Sequence, residues 1–118
     1  MSHYAFPSDG RRLLVGGCDL EAPALQAIKD GLVYALASPE HWLKGYIAIR
    51  LLAQHAQLGK DLPVGWWNPG ALVVDQSNVD AIIARQKDEA SRTRWFMPAV
   101  SKQFAHQGKY VLPLSAAI

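Results

Sequence analysis

Two stretches decide the fold: Leu13-Leu14-Val15-Gly16-Gly17-Cys18-Asp19 and Leu32-Val33-Tyr34-Ala35-Leu36-Ala37-Ser38. Each is a short apolar run followed by turn-forming or polar residues, which is the pattern of a buried strand in a parallel sheet. Between the two runs, Pro23 suits the first turn of a helix and Gly31 suits the position just after its end. The order strand, helix, strand predicts an α/β fold.

A second helix follows the second strand. Ser38-Pro39-Glu40 combines a capping hydroxyl, a proline suited to the first turn and an acid that favours the positive end of the helix dipole. The pattern predicts a helix over residues 40–58 that ends at Gly59. Its apolar positions cover so broad an arc that we expect cover on more than one side.

The apolar run after residue 70 predicts a third strand, and Ser77-Asn78-Val79-Asp80 has the form of a capping box that opens another helix. We therefore predict a three-layer α/β fold, with a small, mainly parallel sheet of three strands and flanking helices. The strands are expected at residues 12–16, 33–37 and 71–75, and the helices at residues 22–30, 40–58 and 78–90.

The chain is predicted to comprise an irregular arm at residues 1–11, an α/β domain at 12–90 and a C-terminal segment at 91–118. That last segment is expected to hold a helix and an apolar tail. The helix is predicted to start at about Thr93 or Pro98 and to end near Gln107, and the tail at residues 110–114 is predicted to form a short edge strand.

Composition narrows the classes of function. The net charge is +2, from 12 basic and 10 acidic residues whose signs are interspersed, so the sequence shows no footprint for nucleic acid. Cys18 is the only cysteine, which excludes an internal disulfide, and the four histidines lack the spacing of a metal site. With no acid/base pair or nucleophile constellation in view, we predict a protein that is not an enzyme and that needs no cofactor or metal.

The N-terminal sequence bears on the cellular compartment of the chain. Residues 1–6 lack both a basic segment and an apolar run, so they do not form a signal peptide, and the chain as written is expected to be cytoplasmic.

Several motifs occur in one order along the chain: Gly16-x-x-Asp19, Ala27-Ile28-Lys29-Asp30-Gly31, Pro39-Glu40-x-x-x-x-Gly45-Tyr46, Gly59-Lys60-x-Leu62-Pro63, Val73-Val74 and Ser77-Asn78-Val79-Asp80. By this order and spacing, residues 12–85 resemble the C-terminal part of type 1 periplasmic sugar-binding proteins of the ribose-binding group. Those proteins are the substrate-binding components of sugar ABC transporters.

The resemblance implies a fragment of a Rossmann-like periplasmic-binding-protein fold. In that family the ligand lies between two lobes, and the chain crosses between them close to the position of Ser38-Pro39 and again near the third strand. This chain would therefore straddle two lobes. The implied function is that of a truncated, non-catalytic sugar-binding transport component with a periplasmic location. The implied ligand is a sugar or small polyol, and an ABC permease becomes a partner only if the missing lobe is supplied.

The same resemblance suggests the ligand-binding residues. The recurrent sugar-binding aspartate of the family maps onto Asp19, whereas the position of a common sugar-binding glutamine holds Pro39, which has no donor. Ser38 or Glu40 would substitute for it. Trp66 and Trp67 are candidates for stacking on a sugar ring.

Each of these readings has a structural alternative. Asp19 could instead cap the following helix, the tryptophan pair could pack against the protein, and Cys18 is expected to be a buried, inert thiol. Trp42 and Tyr46 are expected in a core or an interface.

The alternative function is an oligomeric remnant or interaction module that binds no sugar. Because the covering lobe of the family is absent, we expect a homo-oligomer, most simply a homodimer. For the same reason, the isolated chain is expected to bind free sugars weakly or not at all.

Overall fold

The computed structural model of the chain describes residues 13–117, so the predicted arm at residues 1–11 lies outside the described part. The helices are α1 (Ala22–Lys29), α2 (His41–Leu58), α3 (Val79–Arg85), α4 (Glu89–Ala105) and α5 (Gln107–Tyr110), followed by a 3-10 helix (Leu114–Ala117). The strands are β1 (Gly16–Cys18), β2 (Ala35–Ser38), β3 (Trp66–Trp67), β4 (Leu72–Val74) and β5 (Val111–Leu112). The chain is thus a mixed α/β protein, as the sequence predicted.

The described residues form two compact units, and neither is continuous in sequence. The first unit contains residues 13–39 and 71–91, and the second contains residues 40–70 and 92–117. This division differs from the sequence-based one at residue 90, because residues 40–70 make their contacts with the C-terminal segment.

The sheet of the first unit has the strand order β1-β2-β4. β1 runs parallel to β2, with Gly16 opposite Ala35, whereas β4 runs antiparallel to β2. The prediction of a mainly parallel sheet is therefore wrong. A parallel pair needs a crossover that returns the chain to the same end of the sheet, and α1 supplies it between β1 and β2. The chain instead re-enters for β4 at the carboxyl end of β2, where Leu72 pairs with Ser38.

One face of this sheet carries the core of the first unit. The buried apolar residues come from α1, the sheet and α3, and they are Leu25, Ile28, Leu36, Val74, Val79 and Ile82. On the opposite face Ala37 is exposed and Val73 is 61% exposed. The first unit therefore has two layers, helices on sheet, rather than the predicted three.

Several element boundaries differ from the predicted ones. The first strand begins at Gly16 rather than residue 12, and Leu13 and Leu14 before it are 52% and 74% exposed. The helix predicted over residues 78–90 ends at Arg85, and a new helix begins at Glu89.

The core of the second unit joins α2 to α4. Leu43 and Ile47 of α2 are buried against Phe96 and Val100 of α4. The rings of Trp42 and Phe96 stack with centroids 5.0 Å apart, and Trp42 stacks on Tyr46 at 5.2 Å. The prediction that Trp42 and Tyr46 belong to a core is confirmed.

Helix α4 begins earlier than the sequence predicted. It starts at Glu89 and carries Pro98 in its interior, so neither Thr93 nor Pro98 marks its start. A proline inside a helix removes one backbone hydrogen bond, which is why the sequence favoured a start near it. The buried side chains of Phe96 and Val100 on either side of Pro98 stabilise the helix through it.

A two-stranded sheet completes the second unit. β3 and β5 pair antiparallel, with Trp66 opposite Leu112 and Trp67 opposite Val111. The apolar tail thus forms the predicted strand, and the segment around Trp66, for which no strand was predicted, supplies its partner. Among the helices of residues 13–117, none has the length and the apolar character needed to cross a membrane.

Candidate functional site

The carboxyl edge of the first unit's sheet brings two of the predicted site residues together. Cys18 of β1 lies opposite Ala37 of β2, so Asp19 and Ser38 come next at the same edge of two parallel strands. The backbone N–H of Asp19 donates to the carbonyl oxygen of Ala37 at 3.0 Å. Ser38 is buried and Asp19 is exposed. Ligands of open α/β sheets bind at this edge, so the pair is the candidate site.

Asp19 does not cap α1. The residue at the N-cap is Glu21, in an extended conformation. Asp19 itself adopts a left-handed backbone, with φ of 71°. Aspartate is one of the few residues that enter this region, because its short carboxylate bonds locally. The capping alternative for Asp19 is therefore wrong, and the tight turn holds the residue at the end of β1.

Glu40 follows Ser38 by two positions and belongs to the second unit. It stands at the N-cap of α2 with φ of 54° and ψ of 54°, and it is 8% exposed. Ser38 is the last residue of β2 and does not occupy the N-cap of α2, so the predicted capping role of Ser38 is wrong. The left-handed backbone of Glu40, after Pro39, changes the direction of the chain between β2 and α2.

The two adjacent tryptophans have different surroundings. Trp67 packs in the second unit's core, where its indole Nε1–H donates to Oε1 of Gln103 at 2.9 Å and its ring lies 5.4 Å from that of Phe104. Gln103 is buried, and its Nε2 also donates to the carbonyl oxygen of Pro69 at 3.0 Å. Trp66 is 46% exposed. Of the pair, Trp66 presents more surface to a ligand, and Trp67 anchors the strand.

Gln103 is a residue that the sequence reasoning missed. It is separated from Trp67 by 36 positions, so no local spacing links the two side chains. The only signal in the sequence is a polar residue close to the apolar stripe of a helix, and that signal is common on solvated helices.

A cavity of about 390 Å³ lies at the other edge of the first unit's sheet. Its walls come from segments that precede β1 and β2 and from the segment that follows the antiparallel β4. The lining residues are Leu13, Leu14, Gly31, Leu32, Val33, Tyr34, Asp75, Gln76 and Ser77. The cavity is thus at the amino ends of the parallel strands, away from Asp19 and Ser38. The sequence pointed to none of these residues as a site.

Hydrogen bonds fix the polar side chains that line this cavity, which are those of Asp75, Gln76 and Ser77. The carboxylate of Asp75 accepts hydrogen bonds from the hydroxyl and, at 2.8 Å, from the backbone N–H of Ser77. These two hydrogen bonds lower the pKa of Asp75 below its ordinary value, and the bond from the Ser77 hydroxyl has the larger effect. Gln76 reaches back with its Nε2 to the carbonyl oxygen of Ile28 at 3.3 Å.

Cys18 is exposed, so the prediction of a buried thiol is wrong; β1 is an edge strand whose three residues are all exposed. Within residues 13–117, no three His, Cys, Asp or Glu side chains come together in a way that could hold a metal ion.

No protein-family model, curated protein or solved structure matches this chain.

Proposed function

We propose that this chain is a non-catalytic sugar-binding component related to the periplasmic binding proteins of ABC transporters, and that it spans parts of two lobes. The observation that carries the proposal is where the chain passes between its units, at 39/40, at 70/71 and at 91/92. The motifs place the family's lobe crossings close to Ser38-Pro39 and near the third strand. The first two passages lie close to these positions along the chain, and this closeness supports the proposal, whereas the passage at 91/92 has no counterpart among the crossings that the resemblance implies.

The chemistry of the carboxyl edge supports a sugar as ligand. The carboxylate of Asp19 can accept hydrogen bonds from two neighbouring hydroxyl groups, and the hydroxyl of Ser38 can donate or accept. Hydrogen bonds to an ionised acceptor are roughly twice as strong as neutral ones, so Asp19 would supply most of the polar binding energy. In the second unit, taken by itself, the exposed ring of Trp66 is a separate candidate surface for stacking on a sugar ring.

The direct test is calorimetric titration of the chain with a panel of pentoses, hexoses and deoxysugars. We expect a dissociation constant of about 1 mM for the best sugar, because the contacts that a complete two-lobe protein would add are absent. Asp19→Ala should abolish the binding. Asp80→Ala is the matched control: Asp80 is 75% exposed and pairs with Lys29 on the helical side of the first unit. A panel without saturable binding, or binding that Asp19→Ala leaves intact, contradicts the proposal.

A second function, self-association as an interaction module, is favoured by the solvent-facing side of α2. Its exposed residues include Gly45, Ala48, Ile49, Leu52 and Ala56. Ile49 is 66% exposed and Leu52 is 54% exposed. The spacing of residues 45, 49, 52 and 56 alternates four and three, as in the seam of two packed helices. We define these four positions as the α2 seam.

If a second copy covers the α2 seam, light scattering at micromolar concentration should give a mass above the 13.0 kDa of one chain. Leu52→Glu should return the mass to that of a monomer, since a carboxylate in the seam would be desolvated without a partner. Leu58→Glu is the control, because Leu58 is 67% exposed on the same helix but turned about 120° from Leu52. A stable monomer of the unsubstituted chain would exclude this second function.

A further inference from the structure

The cavity at the amino edge of the first unit's sheet has the dimensions of a small-molecule site. Its volume of about 390 Å³ falls within the range of about 300–1,000 Å³ that is typical of ligand pockets. The apolar part of its wall comes from Leu13, Leu14, Leu32 and Val33, and the polar part includes Asp75, Gln76 and Ser77. The ring of Tyr34, which is 67% exposed, adds an aromatic surface.

The charge of the lining selects among ligands. Of the described residues that line the cavity, Asp75 is the one that carries a formal charge, and that charge is negative. Two hydrogen bonds from Ser77 fix one carboxylate oxygen of Asp75 and favour its ionised form. Among residues 13–117, no lysine, arginine or histidine lines the cavity to offset that charge. An anionic ligand would therefore meet repulsion, and a cation would meet attraction.

The aromatic ring acts in the same direction. A cation near the face of a tyrosine ring is attracted by the negative potential of that face, and the attraction adds to that of a nearby carboxylate. The leucine and valine side chains of the wall favour an apolar group over a hydroxyl, since a hydroxyl placed against them would lose its water without gaining a partner.

From these observations we propose that the cavity binds a small organic cation, with its ammonium group toward Asp75 and its apolar body against Leu13, Leu14 and Tyr34. This site is distinct from the sugar site proposed at Asp19 and Ser38. It lies at the opposite edge of the same sheet and uses none of the same residues, so either proposal can fail without the other.

Three probes of one shape test the charge selection: phenethylamine, 2-phenylethanol and phenylacetate, which differ in carrying a positive charge, no charge and a negative charge. Binding to the full chain is followed by calorimetry at pH 7. We expect phenethylamine to bind about tenfold more tightly than 2-phenylethanol and phenylacetate to bind more weakly than both. Equal affinities for the three probes, or saturable binding of none of them, would overturn the proposal.

Variants locate the bound probe. Asp75→Asn keeps an oxygen acceptor for Ser77 while removing the charge, so the fold should persist and the preference for phenethylamine should fall to within about twofold. Tyr34→Leu should weaken phenethylamine without restoring phenylacetate. Asp80→Asn, on an exposed carboxylate outside the cavity, and Asp19→Ala, at the other edge, should leave the affinities for the three probes unchanged. Circular dichroism confirms the fold of each variant, and a cation preference that survives Asp75→Asn would overturn the assignment.

Discussion

Phe96→Ala is expected to lower the free energy of unfolding by about 3–5 kcal/mol, the usual cost of truncating a buried phenylalanine. Phe96 of α4 is 3% exposed, and its side chain packs against α2. Its ring stacks on that of Trp42, with centroids 5.0 Å apart. Truncation leaves a cavity beside Leu43 and Ile47 and removes the stacking partner of Trp42. Urea unfolding followed by tryptophan fluorescence measures the loss directly.

Two controls show whether the loss comes from packing. Phe96→Leu keeps an apolar side chain in the core and should cost roughly half as much or less. Val73→Ala removes methyl groups from a side chain that is 61% exposed, so it should change stability by no more than about 0.5 kcal/mol. A Phe96→Ala variant within about 1 kcal/mol of the parent would show that the α2–α4 core does not exist as described.

Gly65→Ala is expected to cost about 2–4 kcal/mol, for two reasons that act together. Gly65 has φ of 144°, which a side chain rarely allows, and a Cβ there would lie 2.4 Å from the carbonyl oxygen of Leu112. That oxygen is backbone of the paired strand and has little freedom to move. Relief of the clash requires β3 and β5 to separate, and we expect hydrogen exchange of the amides in both strands to accelerate.

Two other glycines show how much of the expected cost comes from backbone strain and how much from the clash with Leu112. Gly70 has φ of 91° with no atom within 4 Å of the place that a Cβ would take, so Gly70→Ala tests the cost of the backbone conformation alone. Gly108 is helical, with open space around the same position, so Gly108→Ala should be neutral or slightly stabilising. If Gly65→Ala costs no more than Gly70→Ala, the approach of Leu112 is not what requires glycine.

The helices and their ends were predictable where local chemistry decides them. Pro23 and Gly31 bracket α1, and Gly59 ends α2 in the left-handed conformation that favours glycine. The order strand, helix, strand in the first unit was also local, since β1, α1 and β2 follow each other without interruption.

What the sequence left open depends on contacts between distant segments. The direction of β4 is set by where the chain returns after residues 40–70, and the strand at Trp66 exists because Leu112 lies beside it. The conformational preference of Pro98 indicated the start of a helix at that residue. In the structure α4 continues on both sides of Pro98, because Phe96 and Val100 pack in the core. In the candidate site, Asp19 and Ser38 were proposed from the family resemblance, and Asp19 also from its place at a strand end, whereas the cavity at Asp75 joins three segments and has no motif.

The interleaving of the two units has a consequence for synthesis on the ribosome. Residues 40–70 emerge long before residues 92–117, with which they form the second unit. Trp66 in particular must wait for Leu112, 46 positions later. At about 5–20 residues per second, the β3 edge stays without its partner strand for about 2–9 s in each newly made chain. An unpaired strand that consists of two tryptophans can associate with other nascent chains. The yield of native protein should therefore depend on the speed of translation and on chaperones that bind this segment.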